Sequence, residues 1–182
     1  KKIRKADKKY DFIYVGRWEK TKNLKFLLKA INQLKKQRKS ITALFLGEGK
    51  EEKNLRKTRE DLSLNRNVIF ISSKHKVEKF LAQAKIFVYC SWAKVEGLPL
   101  AILEAMAVGI PVLTKDFTGA KEFLKNGQNC YLFRTEKGLK KTSSWLLNNP
   151  EKRKMIAVQA HQYVKKHHSP ENIKTYLKEL KL

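Results

Sequence analysis

The chain has 182 residues, with 41 Lys or Arg against 17 Asp or Glu for a formal charge of +24, yet 42% of it is hydrophobic and 10% aromatic. That apolar content excludes a disordered polycation and suits one compact domain. No apolar run approaches the roughly 18 residues of a membrane-spanning helix and no signal-peptide stretch follows the Lys-rich start, so the sequence predicts neither a span nor an export address. Cys90 and Cys130 have no second Cys or His at metal-ligand spacing and read as reduced core thiols.

Residues 10–16 (YDFIYVG) are aromatic and β-branched and end on Gly, while residues 23–37 repeat Leu24, Leu27, Leu28, Ile31 and Leu34 at helical spacing. A strand followed by a helix is the expectation, and the unit recurs. Residues 41–47 (ITALFLG) precede a charged helix over about 50–62, and residues 67–71 (NVIFI) precede one over 77–84. Residues 86–90 lead to a helix over about 99–108, residues 111–114 to a short helix near 119–124, and residues 130–133 close the series. Continuous apolar strands alternating with helices predict an α/β fold, a doubly wound parallel sheet covered on both faces. From Glu136 the pattern turns wholly helical, over about 138–147, 150–166 and 170–180. The α/β core is therefore expected over about 10–133 and a helical tail over about 136–182, in a single domain. The start at Lys1, almost directly before the first strand, reads as a piece cut from a longer protein.

The charge admits three readings: a nucleic-acid binder, attraction to an anionic membrane, or a solvated cationic surface. Of the 41 cations 33 are Lys and 8 are Arg, and they are spread along the whole chain. Arg is the residue that reads bases and phosphates bidentately, so the balance weighs against nucleic acid.

Ligands of open parallel sheets sit beyond the carboxyl ends of the strands, so the loops after each apolar run hold the candidate residues. After the first strand, Gly16-Arg17-Trp18-Glu19-Lys20-Thr21-Lys22 places Arg17 and Lys22 where a diphosphate could sit. The alternative is that Arg17 pairs with a carboxylate and Lys22 is solvated. Gly47-Glu48-Gly49 after the second strand is a turn where backbone can approach a ligand. The strongest signal follows the fourth strand, in the run EGLPLAILEAMAVGIPVL over residues 96–113. There Gly97 frees the loop and Pro99 presets the first turn of a helix whose unpaired N–H groups form an anion site. Glu104 lies within that otherwise apolar helix, where two vicinal sugar hydroxyls, or alternatively an Arg or Lys of the fold, would satisfy it. Four Asp residues and no D-x-D pair leave no evident holder for a divalent metal, so the charge of a leaving diphosphate would fall to Arg17, Lys22 and the helix N-terminus. His75, His161, His167 and His168 lack motif context and read as surface or capping residues.

VGR followed by Lys22, then EGLPLAILEAMAVGIPVL with seven residues between its two glutamates, then TGAKEFLKNGQNCYLF, resembles the C-terminal donor-binding domain of retaining glycosyltransferases of family 4. The resemblance covers roughly residues 11–133 and implies the Rossmann-like half of a GT-B fold that binds a nucleotide-diphosphate sugar. By residue-wise match it implies Arg17 and Lys22 on the diphosphate, Glu104 on the ribose hydroxyls, and Glu96 as the catalytic carboxylate touching the transferred sugar. It also implies backbone N–H contacts from Gly97, Leu98 and Leu100, and Gly16, Gly47 and Glu48 in loops near the donor. Phe70, Ile71, Ser72 and Ser73 match the base-contacting stretch, with the two serines where glycine is often found, which leaves the base open.

The function expected is therefore metal-independent transfer of a hexose-type sugar to a saccharide or lipid-linked acceptor, with no cofactor beyond the donor. An acceptor-binding domain would precede Lys1, and the chain alone would bind nucleotide with little turnover. The expected location is cytoplasmic, with peripheral attachment to an anionic leaflet left open by the lysines. The alternative is a noncatalytic polyanion-binding module, which steep weakening by salt would reveal.

Overall fold

In the computed structural model, residues 7–72, 77–92, 99–117, 119 and 123–168 are described. They build six parallel strands, β1 (Tyr10–Val15), β2 (Ala43–Leu46), β3 (Val68–Ile71), β4 (Ala84–Tyr89), β5 (Val112–Lys115) and β6 (Tyr131–Phe133). The intervening and following helices are α1 (Leu24–Lys35), α2 (Glu52–Asp61), α3 (Val77–Ala82), α4 (Leu100–Val108), α5 (Glu136–Asn148) and α6 (Pro150–His167). The strand order is β3-β2-β1-β4-β5-β6, with Phe12 of β1 facing Ala43 of β2 on one side and Ile86 of β4 on the other. This is the doubly wound sheet expected from the alternation of apolar strands and helices.

Strands buried on both faces cannot alternate, which is why β2 reads ALFL and is buried at every position. Helix α1 buries Leu24, Leu27, Leu28, Ala30, Ile31 and Leu34 along one stripe, and it packs with α2 and α5 over one face of the sheet. Helices α3 and α4 cover the other face, and α6 returns to lie against α4. Each fully buried Leu or Ile in these layers contributes roughly 1.5–3 kcal/mol relative to exposure. Cys90 and Cys130 are free, buried thiols, as expected; burial pushes Cys130 up to about 12 and Cys90 higher still.

Two details differ from the sequence expectation. Strand β4 begins at Ala84, because Lys85 at its start holds the buried carboxylate of Asp11 at 2.8 Å and so belongs in the sheet despite its charge. Pro99 stands just before α4 with extended backbone, and the helix opens at Leu100. The expected helices over 119–124 and 170–180 lie largely or wholly outside the described residues. Helix α6 also lies at the amino-terminal edge of the sheet, its Arg153 near Asp11 at the start of β1. Arg153 at the start of α6 caps α5 through the Leu147 carbonyl at 2.9 Å, and His161 Nδ1 lies 2.9 Å from the Ala107 carbonyl at the end of α4. The opposite edge, where the strands end, is left to the loops.

Candidate functional site

The order of the strands decides where a ligand can enter. The chain moves outward from β1 to β3, then returns to β4 on the other side of β1, so the loops after β1 and β4 leave toward opposite faces and open a crevice between them. Among the described residues three segments line it: residues 16–23 after β1, 47–51 after β2, and residues 90–92 with the start of α4 beyond β4.

The first two loops are stitched together. Gly16 N–H donates to the Leu46 carbonyl at 3.0 Å, Trp18 N–H to the Glu48 carbonyl at 2.7 Å, and Glu51 N–H to the Trp18 carbonyl at 3.0 Å. The Trp18 ring is fully buried, edge-on to Phe70 at 5.2 Å between centroids, and pins the loop from below. Arg17 is thereby set at the rim. Its carbonyl accepts from the Tyr14 hydroxyl at 2.9 Å, while its exposed guanidinium pairs with Glu19 at 2.8 Å, the carboxylate pairing that the sequence left open.

Lys22 is positioned from across the crevice. A tight turn over Lys20–Lys22 carries it to β4, where its Nζ donates to the Tyr89 hydroxyl at 3.1 Å and lies 5.6 Å from the ring centroid. The Thr21 carbonyl accepts from Ser91 Oγ and from Trp92 N–H, both at 3.0 Å. Lys22 is therefore half-buried and held, in contrast to the alternative of a solvated first-turn residue. Tyr89 carries no local sequence signal beyond an aromatic near the end of an apolar strand, because the contact joins residues 67 apart.

Helix α4 starts beyond β4 with its first N–H groups at this edge, where the helix dipole favours an anion. Leu100 is 74% exposed at its start. Glu104 is not a buried carboxylate paired to a cation of the fold: its side chain is exposed, and it forms no ion pair among the described residues. Its pKa is nonetheless raised, first by loss of water around the carboxyl and second by Glu78 of the adjoining α3. Glu96, Gly97 and Leu98 lie outside the described residues, as does Ser73. Phe70 turns its ring inward against Trp18 and Phe45, with the guanidinium groups of Arg56 and Arg59 over it at 5.6 and 5.4 Å. Ile71 is half-buried behind Gly47, whose N–H it accepts at 2.9 Å, and Ser72 reaches Glu48 at 3.4 Å on the rim.

The structure thus brings Arg17, Lys22, Gly16, Gly47, Glu48, Ser72 and the start of α4 to one edge. Among the described residues no three His, Cys, Asp or Glu converge to hold a metal ion, and no helix is long and apolar enough to cross a membrane.

The family model of glycosyl transferases group 1 matches residues 1–179. The chain belongs to this family. An uncharacterized glycosyltransferase of Haemophilus influenzae is 30% identical over 82% of the chain and 42% of its own length. A putative colanic acid biosynthesis glycosyltransferase of Salmonella typhimurium, WcaL, is 33% identical over 67% of the chain and 32% of its own length. The chain thus spans less than half of these relatives. Among solved structures, S. aureus TarM superposes with a TM-score of 0.88 at 23% identity, over 98% of this chain and 37% of that one. Anabaena HepE, solved with UDP and glucose, gives 0.84 at 22% identity over 94% and 48%. The C-terminal domain of a Francisella tularensis group 1 glycosyl transferase, LpcC, gives 0.78 at 23% identity over 90% and 88%. The fold of this chain is that of the GT-B glycosyltransferases' Rossmann-like half.

Proposed function

We propose that this chain is the donor-binding part of a retaining glycosyltransferase of family 4, moving a hexose-type sugar from a nucleotide diphosphate to a saccharide or lipid-linked acceptor. The observation that carries the reading is Lys22, held by Tyr89 at the point where the strand order reverses, with Arg17 and the start of α4 at the same edge. UDP in the structures of TarM and HepE supports a nucleoside diphosphate as the group bound here.

In this reading the diphosphate lies between the loop after β1 and the first turn of α4. Arg17 leaves Glu19 to reach it, at little expense, since an exposed pair is worth only about 0.2–1 kcal/mol. As the bond to the sugar breaks, negative charge builds on the diphosphate, and Lys22 held in place, Arg17 swung in from the rim and the helix dipole stabilise it without a metal. The carboxylate of Glu104 accepts hydrogen bonds from the ribose hydroxyls, and the rim of residues 70–73 receives the base. Glu96 faces the transferred sugar as catalytic carboxylate, and the backbone N–H groups of Gly97, Leu98 and Leu100 hold sugar and phosphate.

We assign residues 10–133 to the nucleotide-sugar core and 136–182 to its helical tail. A separate acceptor-binding domain then completes the cleft, and the spread lysines suit docking on an anionic cytoplasmic leaflet. Calorimetry tests the phosphate assignment. Replacing Arg17 and Lys22 by Ala should weaken UDP binding at least tenfold while leaving the weak binding of uridine unchanged. Equal loss for both ligands would remove the assignment.

A further inference from the structure

A second concave site lies beside the crevice, on the face covered by α1 and α5. It is a groove of about 420 Å³ between α1, the ends of β5 and β6, the start of α5 and the indole of Trp92. None of Arg17, Lys22 or Glu104 lines it, so it does not include the diphosphate-binding side chains, although Asn23 and Trp92 of its lining belong to the loops of the crevice. Its walls are chemically one-sided: Lys25, Lys29, Lys115 and Arg134 against a single lining carboxylate, Glu136. Lys25 and Lys29 are four residues apart on α1 and so project from one side of the helix. Arg134 is held by Asp116 at 3.0 Å with its side chain 83% exposed, which fixes its direction and leaves donors free. Trp92 is 55% exposed, although its backbone N–H is tied to Thr21. An indole kept at the mouth of a cationic groove offers a flat apolar face next to anion-binding groups.

We propose that this groove binds a saccharide carrying an anionic substituent, a carboxylate or phosphate, with the sugar ring on Trp92 and the anion among Lys25, Lys29, Lys115 and Arg134. The volume falls within the range of discrete small-ligand sites, and its concavity suits a short glycan better than a planar leaflet. Trp92 stands four residues before Glu96 in the chain. On the donor reading above, a groove that adjoins the crevice through Asn23 and Trp92 is a subsite for an acidic acceptor glycan; the binding itself does not depend on that reading.

The test is calorimetry on the 182-residue chain at 150 mM salt, with tetragalacturonate, neutral maltotetraose and tetraglutamate as probes. Tetragalacturonate should bind at least tenfold more tightly than either of the others. Trp92→Ala should lose at least tenfold of that affinity, Trp92→Phe should keep most of it, and Lys36→Gln, an exposed cation away from the groove, should change nothing. Saturating UDP should leave the affinity within threefold. Tetraglutamate binding as tightly as tetragalacturonate would overturn the proposal in favour of general polyanion attraction. Competition by UDP would overturn it by making the groove part of the nucleotide site. Since Trp92 is exposed, its replacement should not change the unfolding temperature, and an unaltered affinity in a folded Trp92→Ala variant would also overturn the proposal. Failure of UDP, GDP and ADP alike to bind, with tetragalacturonate still bound through Trp92, would sink the donor reading alone.

Discussion

Replacing Gly47 by Ala probes the junction on which the crevice rests. A Cβ at Gly47 would stand 2.0 Å from the Gly16 carbonyl oxygen and 3.3 Å from Trp18 Nε1, at a φ of +147°. A comfortable carbon–oxygen contact is about 3.3 Å or more, so one of the two loops must retreat by roughly 1 Å. The obstacle is backbone, so no side chain can rotate away. The strained dihedral costs about 1–3 kcal/mol and the overpacking about 1–3 kcal/mol more. We expect a loss of about 3–5 kcal/mol, out of the roughly 5–15 kcal/mol that such a domain possesses. At about 2–4 °C per kcal/mol for this chain length, the melting temperature should fall by about 10 °C. Gly127→Ala is the control: its φ is +76° and a Cβ there meets nothing within 4 Å. Only the left-handed dihedral is penalised, by about 1–2 kcal/mol, and the shift should be a few degrees. Thermal and urea unfolding of both variants read this directly. In folded Gly47→Ala at low temperature, UDP binding should also weaken, since Gly16 and Arg17 are displaced with the loop. Equal, small shifts in the two variants would refute the argument that the two loops touch through backbone.

Lys85→Met should destabilise the chain by about 1–3 kcal/mol in urea unfolding, because Asp11, 4% exposed, then keeps the Thr42 N–H but loses its cation; unchanged stability would show that the pair contributes nothing. On the proposed ribose contact the ionised Glu104 carboxylate accepts more strongly than the neutral acid, so affinity for the nucleotide-sugar should fall as pH drops through its raised pKa, and Glu78→Gln should move that fall to lower pH by removing the second cause of the shift. The same raised pKa means that any stability the carboxyl contributes is full below its unfolded pKa and declines as pH rises through the folded one. An affinity profile that ignores Glu78→Gln would detach Glu104 from the ribose. The chain alone should bind nucleotide without robust turnover, assayed by release of labelled UDP from UDP-sugar; sustained multiple turnovers would show that no further domain is needed.

Much of the architecture was legible because parallel strands buried on both faces write themselves as unbroken apolar runs. FIYV of β1 and ALFL of β2 could be little else between helical repeats, and the order of the loops then placed Arg17 and Lys22 at strand ends. Where charge serves the fold, the pattern misled: Lys85 hid the start of β4 because its partner, Asp11, lies 74 residues away. Helix α4 was ambiguous for the opposite reason. Its apolar residues surround the whole helix, so periodicity could not say that Leu100 and Glu104 face outward while Ile102, Ala105 and Met106 face the sheet. The interactions that tune the site, the hydrogen bond of Lys22 to Tyr89 and the charge of Glu78 acting on Glu104, join separate elements and leave no local trace. Trp92 stands four residues before the run over 96–113, but its place in the groove depends on Thr21 and on the ends of β5 and β6, which only folding brings near.

The central claim is that this edge of the sheet grips a nucleoside diphosphate through specific cations. It is tested most directly by calorimetry and thermal shift of UDP, GDP and ADP, their sugar conjugates and free nucleosides at two salt concentrations. A ligand at about 100 times its dissociation constant should stabilise the fold by roughly 2.7 kcal/mol. The account predicts a response to one base that survives higher salt and disappears when Arg17 and Lys22 are both Ala. Indifference to the base, with affinity collapsing steeply as salt rises and persisting in the double variant, would contradict it and leave a surface that attracts polyanions through net charge alone.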